Sequence, residues 1–301
     1  METHIPVLLK EVIDNLEIKS DGTYVDLTLG RAGHSLEILK KLINGRLICF
    51  DKDNEAIKES YKKLQKISPN FTLIQNDFRF LKAELEKLGI NEVDGILADL
   101  GVSSPQIDDP TRGFSYSQEG PLDMRMNQQN SFSAKDIIDN FDESELTKIL
   151  IKNADVKLAN LVAKAIVAKR PIKSTSELVE IIKNALPAKI VREKNPAKAV
   201  FQALRIEVND ELGALTAMLA DATQLLKKDG KILIITFHSK EDSIVKNFFQ
   251  KQNYVDPRLN KLPINIQKIW KQKIIFPSED EKLQNNRSRS AKLRVVKKLS
   301  I

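Results

Sequence analysis

The chain has 301 residues, of which 42% are hydrophobic and 30% charged, and its formal net charge is +7. This length and hydrophobic content suffice for a substantial buried core, and no apolar stretch approaches the roughly 18 residues that a membrane span needs. The single cysteine, Cys49, excludes a disulfide within the chain, and the N-terminus is unlike a signal peptide. We therefore expect a soluble, cytoplasmic protein whose charge reflects either a polyanionic partner or a lysine-rich surface.

The first hundred residues alternate between short apolar runs and helical patterns. Four runs are predicted as strands, at 24–29, 46–50, 71–74 and 93–100. Helical spacing of apolar residues predicts helices between them, at 35–42 and 54–64. This alternation is typical of a parallel sheet with helices on both faces.

The pattern changes after Gly101. Residues 101–127 form a long predicted loop rich in proline, glycine and polar residues, and the chain from about 131 has helical patterns only. Ser174 and Glu177 have the spacing of a capping box, and a later helix is predicted to be interrupted at Gly213. Strand patterns return at 231–237, 274–276 and 293–299. We predict an α/β, doubly wound domain (1–104 and 206–301) interrupted by an inserted all-α segment (105–205).

Polar and glycine residues follow the predicted strands at the sheet edge where ligands of such folds bind. Gly30 and Gly33 follow the first strand, Asp51 ends the second, Phe78 follows the third and Asp99 ends the fourth. The glycines have G-x-x-G spacing and not the G-x-G-x-x-G of dinucleotide enzymes. Together these residues predict a nucleoside cofactor, which the spacing alone leaves open between S-adenosylmethionine and NAD.

Longer motifs run through nearly the whole chain. They include His4 to Glu11, Gly30-Arg-Ala-Gly-His-Ser35, Asp99-Leu-Gly-Val-Ser-Ser-Pro-Gln106, Gly120-Pro-Leu-Asp-Met-Arg-Met126, Phe201-Gln-Ala-Leu-Arg-Ile206 and Phe237-His-Ser-Lys-Glu-Asp242. In sequence and in order they resemble the bacterial family that methylates the N4 of a cytidine in small-subunit (16S) ribosomal RNA. Leu27 and Ala32 stand where that family usually has glycine.

The resemblance implies a class I methyltransferase (Rossmann-like) fold, S-adenosylmethionine as cofactor, and 16S ribosomal RNA within the small ribosomal subunit as partner. It also makes the inserted segment the expected region of substrate recognition. The cofactor-binding positions of the family correspond here to Ala32, Gly33, His34, Asp51, Phe78, Asp99 and Gln106.

The chemistry of an exocyclic amine requires acceptors for its hydrogens, because its lone pair is delocalised into the ring. The candidate catalytic residues are Asp99, Ser103, Ser104, Asp123 and His238. Methylation at a pyrimidine C5 would need a thiolate, and the only thiol, Cys49, lies in an apolar run, which favours a nitrogen or oxygen target. The three histidines and the cysteine lack metal-ligand spacing, so we predict no metal site.

Aromatic and basic residues supply candidate contacts to RNA. Phe114, Tyr116 and Phe132 could stack on a flipped base or pack the insertion. Seven Lys or Arg residues from Lys282 onward could hold phosphates. A second basic stretch in the insertion comprises Lys189, Arg192, Lys194, Lys198 and Arg205. Three alternatives stay open at this point: a nicotinamide-dependent oxidoreductase, a non-catalytic RNA-binding assembly factor, and a methyltransferase of DNA or a small molecule.

Overall fold

The computed structural model describes residues 5–254 and 268–299, so His4 lies outside the described residues. The chain divides into two compact units. One comprises the residues up to Gly101 together with those from Leu212 onward, and the other comprises Val102–Glu211. The first unit contains all the strands, and the second is helical.

The first unit is built on a seven-stranded sheet. Its strands are β1 (Thr23–Asp26), β2 (Arg46–Asp51), β3 (Phe71–Gln75), β4 (Val93–Asp99), β5 (Leu226–Thr236), β6 (Trp270–Ile275) and β7 (Lys292–Lys298). The spatial order is β3-β2-β1-β4-β5-β7-β6. The first five strands pair in parallel, and β7 is antiparallel to both of its neighbours. The predicted Rossmann-like class I methyltransferase fold is confirmed.

Both faces of this sheet are buried. Along each central strand, successive side chains enter two different cores: Val25 packs into one and Tyr24 into the other, and the same alternation holds for Ile96 and Leu97. This alternation between two buried faces explains why the sequence shows continuous apolar runs.

The helices of the unit are α1 (Leu9–Leu16), α2 (Gly33–Lys40), α3 (Asn54–Leu64), α4 (Leu81–Lys87), α12 (Glu211–Leu225), α13 (Ser239–Gln252) and α14 (Glu279–Gln284). Residues of α1, α2 and α3 cover one face, and residues of α4, α12 and α13 cover the other.

The second unit has its own hydrophobic core. Its helices are α5 (Ser104–Asp108), α6 (Ala134–Asn140), α7 (Glu143–Ala154), α8 (Ala159–Ala168), α9 (Thr175–Ala185), α10 (Ala188–Glu193) and α11 (Ala197–Asn209). Apolar side chains from α6, α7, α8, α9 and α11 meet in one cluster. The unit contains the predicted insertion (105–205), and the role of that segment in substrate recognition stays a prediction.

Several local predictions are corrected by the structure. The helical pattern breaks at Asp210, which adopts φ 43° between α11 and α12, and not at Gly213. Ser174 does cap α9, by accepting the Glu177 amide at 3.3 Å, but the Glu177 carboxylate accepts from the Lys173 amide one residue earlier. β1 ends at Asp26, three residues before the predicted end, because the chain turns there into the loop before α2. Among the described residues, no helix is long and apolar enough to cross a membrane.

Candidate active site

Three aspartates end three adjacent strands at the carboxyl edge of the sheet. Asp26 ends β1, Asp51 ends β2 and Asp99 ends β4. β1 lies between β2 and β4, so the strand order reverses direction at the β1–β4 pair. Open α/β sheets bind their ligands in the crevice at such a switch point. The structure therefore brings the predicted strand-end residues of the first unit together at one edge.

The Asp51 carboxylate is oriented by two backbone amides. Its Oδ2 accepts from the Gly30 amide at 2.8 Å and its Oδ1 accepts from the Asp53 amide at 2.9 Å. Burial raises the pKa of Asp51 to about 6, against the opposing effect of these hydrogen bonds. Each oxygen retains a lone pair, so the group is a fixed double acceptor at the predicted place for two ribose hydroxyls.

The loop from Gly30 to His34 approaches β2 closely. Gly30 and Ala32 both have left-handed backbone, with φ 48° and φ 65°. Ala32 therefore carries a Cβ in a conformation that favours glycine, which explains why glycine is usual there in the family that the sequence resembles. Gly33 opens α2 where a Cβ would lie 2.2 Å from Pro6 Cγ, so only glycine fits. Leu27, the other departure, is buried in the core.

His34 and Asp99 face each other across this edge. His34 Nε2 lies 3.0 Å from the Val7 carbonyl oxygen, which can only accept, so Nε2 carries a proton. Nδ1 then points towards Asp99 Oδ2 at 3.8 Å, which is too long for a hydrogen bond. Asp99 Oδ1 is buried and has no hydrogen-bond partner among the described residues. Burial, followed by the nearby charges of Asp26 and Glu241, raises the pKa of Asp99 well above its usual value.

Phe78 begins a short 3-10 helix after β3 and packs partly against the sheet core. The preceding Asp77 is paired with Lys52 at 2.8 Å and with Arg79 at 2.9 Å. Burial on its own raises the pKa of Asp77, but Lys52 and Arg79 together bring it below the usual value. Lys52 Nζ also lies 5.7 Å from the Phe78 ring centre. The Phe78 ring is thus held in place at the predicted position for an adenine.

His238 follows β5 and caps α13. Its Nδ1 accepts from the Glu241 amide at 3.4 Å, and the Glu241 carboxylate accepts in return from the Phe237 amide at 2.8 Å. Glu241 Oε1 also lies 3.1 Å from His238 Nε2. The ring therefore has an evident structural role, and its predicted part in orienting or relaying a proton stays a prediction.

Ser103, Ser104 and Gln106 lie at the start of α5 in the helical unit. Ser103 and Gln106 form a reciprocal capping box, in which Gln106 Oε1 accepts from the Ser103 amide at 3.0 Å. The Ser104 hydroxyl is buried and has no hydrogen-bond partner among the described residues. Of these three predicted residues, Ser104 is the one whose side chain has an unused hydrogen-bonding group.

Asp123, also in the helical unit, forms an ion pair with Arg125. Its Oδ2 lies 2.6 Å from Arg125 Nη2, and its Oδ1 accepts from Arg125 Nε at 3.0 Å and from the Arg125 amide at 2.9 Å. Burial alone raises the pKa of Asp123, but the contacts with Arg125 lower it below the usual value. A carboxylate held in this way is a weak proton acceptor.

The three candidate stacking aromatics differ in exposure. Phe114 is 8% exposed and belongs to the core of the helical unit, so packing is its observed role. Tyr116 is 36% exposed and makes an edge-on contact with Phe201, with 6.1 Å between the ring centres. Phe132 is 38% exposed, and its ring centre lies 6.2 Å from that of Phe141. Tyr116 and Phe132 keep ring surface in solvent.

Comparison with known proteins identifies the family of this chain. The model of the MraW methylase family matches residues 1–299. The chain belongs to the MraW methylase family. A curated relative from Mycoplasmopsis pulmonis, named ribosomal RNA small subunit methyltransferase H, is 58% identical over 99% of this chain and 100% of its own. Relatives of the same name from Mycoplasmopsis agalactiae (98% of both chains) and Clostridioides difficile (98% of this chain, 99% of its own) are 55% and 48% identical.

The only thiol of this methylase is unsuited to nucleophilic attack. Cys49 is fully buried on β2, and burial raises the pKa of its thiol well above the usual value. Its Sγ lies 3.3 Å from Ser35 Oγ, deep under the loop. Methylation of a pyrimidine at C5 needs a thiolate, so this methylase lacks the group for that reaction.

Replacing Cys49 by Ala is therefore expected to leave the turnover number of the methylase within about twofold of wild type, because the thiol takes no part in the chemistry. The variant is expected to lose about 1 kcal/mol of stability through the small cavity. Initial rates and urea unfolding measure the two effects. A Cys49→Ala enzyme that folds normally but has lost methyl transfer would show that the thiol does act.

Sequence reasoning missed several polar residues that shape this edge. Thr28, Ser35 and Glu241 are buried or half-buried, and each has a hydrogen bond to a strand-end group. Ser35 and Glu241 were visible only as members of motifs, and Thr28 only as one residue of a strand pattern. Their partners are set by the tertiary fold, which local spacing does not reveal.

Proposed function

We propose that this methylase transfers the methyl group of S-adenosylmethionine to the exocyclic N4 of a cytidine in 16S ribosomal RNA, within the small ribosomal subunit. The observation that carries the proposal is the Asp51 carboxylate, fixed by two backbone amides at the carboxyl edge of the sheet in a chain of the MraW family. The names of the relatives support the RNA and the subunit. A cytoplasmic location follows from this substrate and stays part of the proposal.

The residues of the first unit fit S-adenosylmethionine. Asp51 offers two oriented oxygens for ribose hydroxyls, and the ring of Phe78 offers an apolar surface for adenine. The buried Asp99 Oδ1 lacks a partner and would accept a hydrogen bond from the cofactor. When bound, the cofactor supplies an activated methyl group, so the protein mainly has to position the acceptor. Ala32, Gly33 and His34 complete the proposed cofactor residues, with Gln106 from the helical unit.

The amine of the target cytosine needs hydrogen-bond acceptors that turn its lone pair towards the methyl group. Among the candidates, Ser104 has an unengaged hydroxyl, whereas Ser103 and Asp123 are engaged in capping and in an ion pair. Asp99 is assigned to the cofactor in this proposal, and His238 caps α13. We therefore place Ser104 first as the acceptor in this proposal, ahead of Asp99, Ser103, Asp123 and His238.

The surface proposed to hold RNA phosphates lies in the helical unit. Lys189, Arg192, Lys194 and Lys198 are all exposed on α10, the turn after it and α11. The fifth member of that basic stretch, Arg205, makes two hydrogen bonds to the Glu211 carboxylate. The C-terminal cations are less suited, because most of them have partners among the described residues. The partners include Glu279 for Lys282, Asp242 for Lys292 and Arg294, Asp229 for Lys297, and two backbone carbonyls for Lys298.

Replacing Lys189, Arg192, Lys194 and Lys198 together by Ala is expected to weaken RNA binding at low salt. The slope of log K against log salt should fall by about 0.7 for each phosphate of a single strand that the variant no longer neutralises. A matched control removes four exposed lysines on α7, the turn after it and α8 of the same unit: Lys148, Lys152, Lys157 and Lys164. Filter binding over a salt series measures both slopes. Equal losses in the two variants would show a general charge effect and refute this surface.

The function is tested with S-adenosylmethionine labelled in its methyl group and small ribosomal subunits that lack native methylations. The RNA is digested and its nucleosides are separated. Label in N4-methylcytidine is the expected result. Label in another nucleoside would overturn the assigned target, and cofactor binding without any label would favour the non-catalytic assembly factor.

A further inference from the structure

The backbone ladder between β1 and β4 ends just before the candidate site. The strands are in register from Tyr24 opposite Gly95 to Asp26 opposite Leu97, and the Leu27 amide then donates to the Leu97 carbonyl at 2.9 Å. Two residues later the chain has changed neighbours, because the Leu29 amide donates to Phe50 of β2. A gap therefore opens between the two strands at the switch point, at the residues that bear the predicted cofactor groups.

Asp99 lies on the β4 side of this gap. Residues two apart on a strand direct their backbone amides towards the same neighbouring strand. The Asp99 amide therefore points towards β1, as the Leu97 amide does. Its acceptor is a side chain: the Asp99 amide donates to Thr28 Oγ1 at 2.6 Å. On the other side, the Leu100 amide continues the ladder to Ile235 of β5 at 3.0 Å.

The Thr28 hydroxyl is itself held by a buried carboxylate. A hydroxyl has a single proton, and since it accepts from Asp99, that proton is directed to Asp26 Oδ1 at 3.4 Å. The Thr28 amide donates to the same oxygen at 3.1 Å, and Ser35 Oγ donates to Asp26 Oδ2 at 2.6 Å. Asp26 is 1% exposed. Thr28 therefore connects a rigid buried acceptor to the backbone of Asp99.

This connection matters because the Asp99 carboxyl group has little else to hold it. Oδ1 has no hydrogen-bond partner among the described residues, and Oδ2 lies 3.8 Å from His34 Nδ1. The direction of the carboxyl group is therefore set mainly by the position of its own backbone. We propose that Thr28 is a positioning residue, which replaces the missing ladder bond across the β1–β4 gap and so aims Asp99 at the cofactor. This inference rests on the proposed function for the identity of the cofactor.

The test compares Thr28→Val, which keeps the shape and loses the hydroxyl, with Thr28→Ser, which keeps the hydroxyl. In the ligand-free protein, amide hydrogen exchange at Asp99, followed by NMR, should become at least about tenfold faster in the valine variant and stay slow in the serine variant. The dissociation constant of S-adenosylmethionine, measured by calorimetry, should rise about tenfold in the valine variant, as expected for one lost hydrogen bond, with kcat changed less than about twofold.

Thr236→Val is the matched control, because it removes a buried hydroxyl at the end of β5 in the same sheet. It should leave the exchange at Asp99 unchanged. If Thr28→Val fails to fold, Thr28→Ala supplies the same measurement. Wild-type exchange and cofactor affinity in the valine variant, or equal damage in the serine variant, would overturn the inference. Failure of the proposed function is distinguishable, because wild-type protein would then methylate no RNA while the exchange comparison still reports on Thr28.

Discussion

Replacing Asp51 by Asn is expected to weaken the binding of S-adenosylmethionine by about 100-fold, or about 2.7 kcal/mol. Both carboxylate oxygens of Asp51 accept a backbone amide, from Gly30 and from Asp53. An asparagine has one acceptor oxygen, so its NH₂ group would face one of these N–H groups. The side chain would then lose both its orientation and its charge-assisted bonds to ribose hydroxyls. Calorimetric titration of the two proteins measures the loss.

The matched control is Asp21→Asn, the same change at an exposed aspartate before β1. It should leave the dissociation constant unchanged. An Asp51→Asn protein that binds the cofactor as tightly as wild type would remove Asp51 from the site.

The pKa of about 6 gives the Asp51 prediction a characteristic pH dependence. The ionised carboxylate is the better acceptor of ribose hydroxyls, so the contribution of Asp51 to the affinity should be constant above pH 7 and fall about tenfold by pH 5. The Asp51→Asn variant should lack this contribution. Stability changes in the opposite direction. Burial raises the pKa of Asp51 in the folded state, so at pH values between the usual aspartate pKa and about 6 the folded state binds more protons than the unfolded state. From this group alone, the free energy of unfolding decreases as the pH rises through that window.

Replacing Asp99 by Asn is expected to lower kcat/KM for methyl transfer by at least about 100-fold. The buried Oδ1 has no partner in the described protein, so a ligand donor is the natural occupant of that position. In the ligand-free protein, burial raises the pKa of Asp99 well above its usual value. A hydrogen bond from a cationic cofactor favours the ionised form, so binding should lower this pKa and release protons to the buffer. Initial rates test the first effect.

Calorimetry above pH 7, where Asp51 is already ionised, in two buffers of different ionisation enthalpy tests the proton release, which should be smaller in Asp99→Asn. Asp94→Asn, at the other end of β4, serves as control because Asp94 pairs with Lys19 and Lys227 away from the carboxyl edge. It should change kcat/KM by less than about twofold. Full activity in Asp99→Asn would contradict both the cofactor contact and the positioning role inferred for Thr28.

The sequence predicted the central strands of the sheet well because they are buried on both faces. The apolar run at 46–50 corresponds to β2 (Arg46–Asp51), and the run at 93–100 corresponds to β4 (Val93–Asp99). The strand-end residues Asp51 and Asp99 could be placed at one edge because parallel strands share that edge. This part of the site follows from the apolar pattern of the strands and from their order along the chain.

The rest depends on tertiary contacts that local patterns do not contain. The bond from Thr28 to the Asp99 amide joins residues 71 positions apart, and the bond from the Leu8 amide to Glu281 joins residues 273 apart. The short helix α14 and the Ser103–Gln106 capping box were missed, although Ser278–Glu281 and Ser103–Gln106 both have the spacing of a capping box, because neither segment has a long apolar pattern. The ion pair of Asp123 with Arg125 was also missed, although it is local, because residue spacing in a loop does not predict how the two side chains are oriented.

The split of the sheet between two chain segments affects how the protein is made. At roughly 5–20 residues per second, the ribosome takes about 5–20 s to synthesise the 110 residues of Val102–Glu211. β4 is therefore made well before its partner β5, and its six residues Val93–Ala98, buried in the finished protein, have an open hydrogen-bonding edge until β5 is added. The nascent chain thus passes through a stage in which the helical unit can complete its own core while the sheet still lacks β5, β6 and β7.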